Sequence, residues 1–324
     1  MNTAHYVNRG PKAGKTGFGE GVVLAGRRHS KLIALGADIT ASVGLDLFAA
    51  EFPGRFFSLG IAEQNCVGAA AGLALSGKIP VFSTYGVFAA LRAADQIRIS
   101  LCYNKVHVII GGAHAGVSVG PDGATHQALE DLAIMRVLPH MTVLSPCDAS
   151  QVSKAVLAAA EHRDGPVYIR FGREPMPDFS PPDEVFKIGE APVYRQGEDV
   201  GIVATGHLVW EALQAAEELE KQNISARVIN LHTIKPLDGP VLLKAARETG
   251  AIVCAEEHQQ MGGMGSAVAE FLAAHHPVPM AFIGMDDSFG QSGKAGELMD
   301  HYGLRARNIV DAVHDVLIRK KNGH

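Results

Sequence analysis

The strongest constraint on how this chain folds is an alternation that occurs twice along it. From residue 17 onward, short runs rich in Val, Ile and Phe alternate with longer Ala-rich segments of helical period. Repeated short apolar runs, each followed by a 3.6-residue period, specify βαβ units. Both blocks therefore fall in the α/β class, each a mostly parallel sheet flanked by helices. In the first block the runs 31–37, 55–60, 79–84, 106–112, 141–146 and 166–171 read as strands, and 63–76, 88–103, 127–137 and 148–162 as helices. The stretch EPMPDFSPPDEVFKIGE (174–190), with four prolines, breaks the rhythm and reads as linker. A second block follows, with strands at 199–206, 224–231 and 251–257 and helices at 208–222, 239–248, 266–275 and 308–320. The expected division is an N-terminal arm at 1–16, a first domain at 17–173, a linker at 174–197 and a second domain at 198–324.

A chain of 324 residues exceeds what one hydrophobic core usually covers, in keeping with two domains. Its formal net charge of -5 gives no electrostatic reason to expect nucleic acid or an anionic membrane as partner. Cys66, Cys102, Cys147 and Cys254 are far apart with no CxxC pair, which suits neither a disulfide framework nor a zinc site. The N-terminal residues lack an apolar signal core, and no run of about 20 apolar residues occurs. A soluble, cytoplasmic protein is the expectation.

In open parallel sheets, ligands bind beyond the carboxyl ends of the strands, so polar residues just after predicted strands carry the most information. Glu63 follows RFFSLG and opens a helix made almost wholly of small and apolar residues. Helix-terminus electrostatics alone would favour an acid there; the functional reading is a buried acid used as a proton donor or hydrogen-bond partner. The loop AHAGVSVGPDGATHQALEDL (113–132) places His114, Asp122 and His126 together. Histidine transfers protons near neutral pH, and two histidines with an acid between them suit a hydroxylated or phosphorylated substrate. A turn at Asp122 and a helix cap at Thr125 are compatible structural uses of the same residues. In TYGVFAALRAADQ (84–96), Tyr85, Phe88 and Leu91 or Arg92 recur at helical spacing, a pattern that by itself reads as core. GGMGSAV (262–268) resembles a dinucleotide fingerprint. It is rejected because HQQM separates it from its strand and no acid ends a second strand about 20 residues on.

SLGIAEQNCVGAAAGLALSG, followed by FSTYGVFAALRAADQIR, AHAGVSVGPDGATHQALEDLAIMRVLPHMTVLSPCD and GPVYIRFGRE, resembles the pyrimidine-binding domain of transketolases. EEHQQMGGMGSAVAEFL and GMDDSFGQSGKAGELMDHYGL resemble the C-terminal domain that follows it in that family. The resemblance implies thiamine diphosphate as cofactor. It also implies that the diphosphate and Mg²⁺ are held by an N-terminal domain, with a GDG motif and a later asparagine, which this chain lacks; GPDG (120–123) belongs to the substrate loop. The expectation is thus the C-terminal subunit of a split transketolase, active with a separate partner chain in an α2β2 assembly and moving a two-carbon ketol unit between sugar phosphates.

Position by position, the resemblance implies that Glu63 hydrogen-bonds the aminopyrimidine ring. A carboxylate in a dry pocket can share a proton with a ring nitrogen. Tyr85 and Phe88 would pack on the pyrimidine, and Leu91 stands where transketolases often have tyrosine. Asp122 would contact a substrate hydroxyl, His126 the carbonyl region, and His114 would lie toward the phosphate. Ser42 and Arg173 resemble phosphate-binding residues, and Asp38 matches an acid near the cofactor interface. Lys15 stands where many transketolases place arginine, offering a point charge without the planar fork. A phosphosugar is favoured over a sulfonated or otherwise unusual ketose. The alternatives are the β subunit of a 2-oxo acid dehydrogenase, a 1-deoxyxylulose-5-phosphate synthase-like enzyme, and a non-catalytic paralogue. DGATHQ argues against the first, chain length against the second, and joint retention of Glu63, His114, Asp122 and His126 against the third.

Overall fold

The computed structural model describes residues 6–322; residues 1–5 of the expected arm and residues 323–324 of the expected second domain lie outside the described residues. The first sheet has seven strands in the order Thr233–Lys235, Thr142–Leu144, Val167–Arg170, Ile109–Ala113, Ile79–Tyr85, Leu32–Gly36 and Phe56–Ser58. Neighbours run parallel, except that Thr233–Lys235 lies antiparallel to Thr142–Leu144. The central strands Leu32–Gly36 and Ile109–Ala113 are buried along their whole length, as expected where helices cover both faces. The second sheet runs Met280–Met285, Ile252–Gln259, Val200–Ala204, Ala226–Asn230 and Val193–Arg195, again parallel apart from the last strand.

Helix ends follow local chemistry. Asp148 caps Ala149–Glu161 by accepting the Gln151 N–H at 2.8 Å. Asp238 caps Gly239–Thr249, and that helix stops at Gly250 in the left-handed conformation. The helix Gly14–Arg28 is absent from the sequence expectations because its many glycines depress helix propensity. Those glycines serve packing instead: a Cβ on Gly17 would lie 1.9 Å from the Ala149 carbonyl oxygen, so the two helices touch backbone to backbone.

Two expected helices are altered. The segment 88–103 is not one helix but wide π-type turns, Phe88–Arg92 and Ile97–Tyr103, flanking the short α turn Ala94–Gln96. The helix expected at 127–137 begins only at Asp131, because Ala128 bridges to Ala115 in extended backbone. Thr125 does not cap it; its hydroxyl meets His126 Nδ1 at 2.9 Å.

The proline-rich stretch is tied down rather than free. Pro175–Pro177 pairs antiparallel with Pro11–Ala13 of the arm. Asp178 receives hydrogen bonds from Arg9 and Ser150, and Phe179 and Ser180 are buried. Val193–Arg195, inside the expected linker span, is an edge strand of the second sheet.

Candidate active site

The carboxyl ends of the parallel strands in the first sheet gather most of the sequence candidates. Tyr85 ends Ile79–Tyr85, His114 follows Ile109–Ala113, Glu63 follows Phe56–Ser58, and Arg173 follows Val167–Arg170. Glu63 is the first residue of the helix Glu63–Leu75 and is 3% exposed. A carboxylate so deeply placed needs a partner, and Arg92 supplies it: Nη1 donates to Oε1 at 2.7 Å. The Arg92 guanidinium also lies over the Phe88 ring, 4.0 Å from its centroid. Sequence spacing marks Arg92 only as part of an apolar stripe. A signal for its role does exist there, because a buried acid in a helix of small residues calls for a cation nearby.

Beside this pair stands a cluster of rings. Tyr85 lies 4.0 Å from the His114 ring, 5.5 Å from Phe88 and 5.4 Å from His126, and His126 meets Phe88 edge-on at 5.6 Å. Tyr85, Phe88 and His126 are only half-buried, so the ring cluster is open on one side and not a sealed core stripe. His114 adopts the left-handed conformation (φ 56°) and is buried, and its Nδ1 has no hydrogen-bond partner within the chain. Burial, reinforced by the charges of Arg173, Lys15 and His126, pushes its imidazole down to about 3. A neutral His114 imidazole leaves Nδ1 free to donate or accept a single hydrogen bond.

Asp122 does not simply make a local turn. Its carboxylate lies 3.7 Å from His114 Nε2 and 3.4 Å from Arg173 Nη1, and Arg173 also donates to the Val119 carbonyl at 3.0 Å. The ribbon between Pro11–Ala13 and Pro175–Pro177 explains how Lys15 and Arg173 come close: each follows or precedes its paired strand by two residues. Gly14 rests against the Gly172 backbone, and Gly44, just past Ser42, rests against the Lys15 carbonyl. Ser42 therefore lies in the turn packed on the helix start that carries Lys15. Asp38 is exposed in the left-handed conformation (φ 65°), and Leu91 is 55% exposed in the π-type turn; neither joins the ring cluster.

Comparison with known proteins decides the family. The transketolase pyrimidine-binding domain model matches residues 11–177, and the transketolase C-terminal domain model matches residues 189–309. The chain belongs to the transketolase family. A 6-deoxy-6-sulfo-D-fructose transketolase subunit, SqwH, of Clostridium sp. (strain MSTE9) is 42% identical over 91% of this chain and 91% of its own length. An apulose-4-phosphate transketolase subunit of Phocaeicola vulgatus is 39% identical over 90% of this chain and 93% of its own length. A solved structure described as a split gene transketolase, inactive beta4 tetramer, superposes with a TM-score of 0.89 at 47% identity, covering 95% of this chain and 99% of that one.

Transketolases depend on thiamine diphosphate, and the residues of this transketolase chain fit one part of it. A buried carboxylate, a half-buried aromatic wall and the unpartnered Nδ1 of His114 suit a flat heteroaromatic ring and a polar substrate beside it. Among the described residues, no group of three or more His, Cys, Asp or Glu is placed to hold a metal ion, and no helix is long and apolar enough to cross a membrane. The rejected fingerprint at 262–268 has a structural explanation. Glu256 fills the helix N-terminus itself, accepting from Met264 N at 2.7 Å and Gly265 N at 2.8 Å, where a dinucleotide phosphate would otherwise sit. Burial pushes the Glu256 carboxyl up to about 7.

Proposed function

We propose that the chain is the C-terminal subunit of a two-chain transketolase that moves a two-carbon ketol unit from a ketose phosphate to an aldose phosphate. The observation that carries this reading is Glu63, buried at a strand end next to the ring cluster of Tyr85, Phe88, His114 and His126. Thiamine diphosphate would supply a nucleophilic carbon able to accept and release the ketol unit. Glu63 would hold and exchange a proton with the aminopyrimidine nitrogen, while Tyr85 and Phe88 pack on that ring and Leu91 and Asp38 border it. Asp122 would accept from a donor hydroxyl, and His126 would bond at the carbonyl oxygen. Neutral His114 would complete the polar wall, and Lys15, Arg173 and Ser42 would hold the phosphate.

The diphosphate and Mg²⁺ would be held mainly by an N-terminal partner subunit, in an α2β2 assembly in the cytoplasm. Two facts support a partner: the relatives named as subunits are matched over nine-tenths of their length, and the similar split-gene chain is described as an inactive β4 tetramer. Lys15 in place of an arginine, together with the likeness to a sulfo-sugar enzyme subunit, favours a second reading in which the donor carries a sulfonate. Co-purification of the chain with the product of a neighbouring reading frame, followed by ketol-transfer assays on phosphorylated and sulfonated ketoses, separates the two. Transfer from neither donor would refute both.

A further inference from the structure

Resting on the reading above, we infer that Glu257 of the second domain is a positioning residue that sets the shape of the substrate loop. The loop is irregular above its base: Gly116, Gly120 and Gly123 all take positive φ around one short 3₁₀ stretch, Val117–Asp122, while backbone bonds from Ala115 to Phe171 and from Gly116 to Ala128 tie down only its start. His114, Asp122 and His126 need fixed places relative to one another; Arg173 holds Asp122 from within the domain, and the loop backbone between them is held from the other domain.

Glu257 lies near the carboxyl end of Ile252–Gln259, a strand of the second sheet, and is 3% exposed. Its carboxylate leaves its own domain and accepts the Ser118 backbone N–H and, at 3.1 Å, the Ser118 hydroxyl. His207, at the start of Leu208–Lys221, brings Nε2 to 3.0 Å from the same carboxylate, close enough for an ion pair but out of line for a hydrogen bond. Gly116 lies flush on the carboxyl group, and a Cβ there would fall 2.0 Å from the Glu257 carboxyl carbon. Two further clamps join the same surfaces. Arg170, paired with buried Asp131, donates to the Ala128 and Glu257 carbonyls at 3.0 and 2.8 Å. Gln127 donates to the Gln291 carbonyl at 2.9 Å, and Gly123 packs against Ser292. The acid pair in EEHQQ and the SFGQSG stretch thereby acquire a use: Glu256 closes a helix end within its domain, while Glu257 and the Gln291 loop hold the substrate loop across the domain boundary.

Hydrogen–deuterium exchange on the full chain tests this without requiring any activity. Glu257→Ala should speed amide exchange in residues 114–127 at least tenfold while Ile79–Tyr85 and Glu63–Leu75 keep wild-type protection. Glu257→Gln, which still accepts the Ser118 N–H, should restore most of that protection. In the enzyme reconstituted with its partner, Glu257→Ala should raise the ketose KM about tenfold, with kcat and thiamine diphosphate affinity within twofold of wild type. If Glu257→Ala does not fold, Ser118→Ala removes only the hydroxyl bond and should speed exchange at 116–122 several-fold. Unchanged exchange in the loop, exchange raised uniformly along the chain, or cofactor affinity lost in step with ketose binding would each overturn the proposal. Failure of the transketolase reading would look different, since wild-type mixtures would lack ketol transfer whatever the exchange pattern.

Discussion

At the scale of single residues, the Glu63–Arg92 pair explains how an acid stands at the head of an apolar helix. Removing only the cation leaves a buried carboxylate without its partner. Arg92→Met should therefore destabilise the chain by about 1–3 kcal/mol, less than a fully buried pair because Arg92 is 45% exposed. Glu63→Gln introduced into Arg92→Met should recover most of the loss in urea unfolding, and equal midpoints for the single and double variants would contradict the pairing. Asp122→Ala and His126→Ala should instead change ketose handling, read as a raised KM in the reconstituted enzyme; wild-type kinetics with every sugar would count against the loop. Glu63 and the loop residues stand out in the sequence because each breaks an otherwise apolar or glycine-rich run just after a strand. Glu257 does not, and Arg92 does so only indirectly, through the need of Glu63 for a cation, because what makes them matter is a contact 139 or 29 residues away in the chain.

At the scale of elements, the strands and long helices are legible from periodicity, and the departures have local causes. The helix Gly14–Arg28 is hidden by glycines that exist for close approach to Ala149–Glu161. Gly17→Ala should thus be an overpacking change, costing about 1–3 kcal/mol in urea unfolding despite the better helix propensity of alanine. An unchanged or raised midpoint would show that the two helices separate without penalty. The wide turns Phe88–Arg92 and Ile97–Tyr103 cannot be read from spacing, since the periods of α and π turns differ little over one turn. That geometry has a consequence for the site, because the first of these turns carries both Phe88 and the arginine that reaches Glu63. The Pro11–Ala13 and Pro175–Pro177 ribbon is equally hidden, since three-residue strands rich in proline carry no alternation.

At the scale of the whole molecule, the two domains are bound together. Thr233–Lys235, from the second half of the chain, completes the first sheet, and hydrogen bonds from Arg170 and to Glu257 join the loop 113–132 to the second domain. The interior also fixes a pH response. Burial lowers the imidazoles of His107, His232 and His258 to about 4 and that of His114 to about 3, from an ordinary value of 6.5. Depressed histidines are neutral in the fold, so the stability they protect is complete above pH 6.5 and is lost as pH falls through 4. Glu256, raised from 4.5 to about 7, acts in the opposite sense, its contribution falling as pH rises across that window. Burial raises the Glu130 carboxyl too, and the four histidines outweigh these two acids, each group being worth at most about 1.4 kcal/mol per pH unit. Unfolding free energy should therefore rise from pH 4.5 to 6.5 in urea titrations, and a flat or falling profile would contradict the burial of these imidazoles.

The split-subunit reading is tested most directly by ketol transfer with thiamine diphosphate and Mg²⁺, measured for this chain alone and mixed with the proposed N-terminal partner. Transfer is expected only in the mixture, and Glu63→Ala should abolish it in a chain that still folds. Robust transfer by the chain alone, or a mixture unaffected by Glu63→Ala, would contradict it.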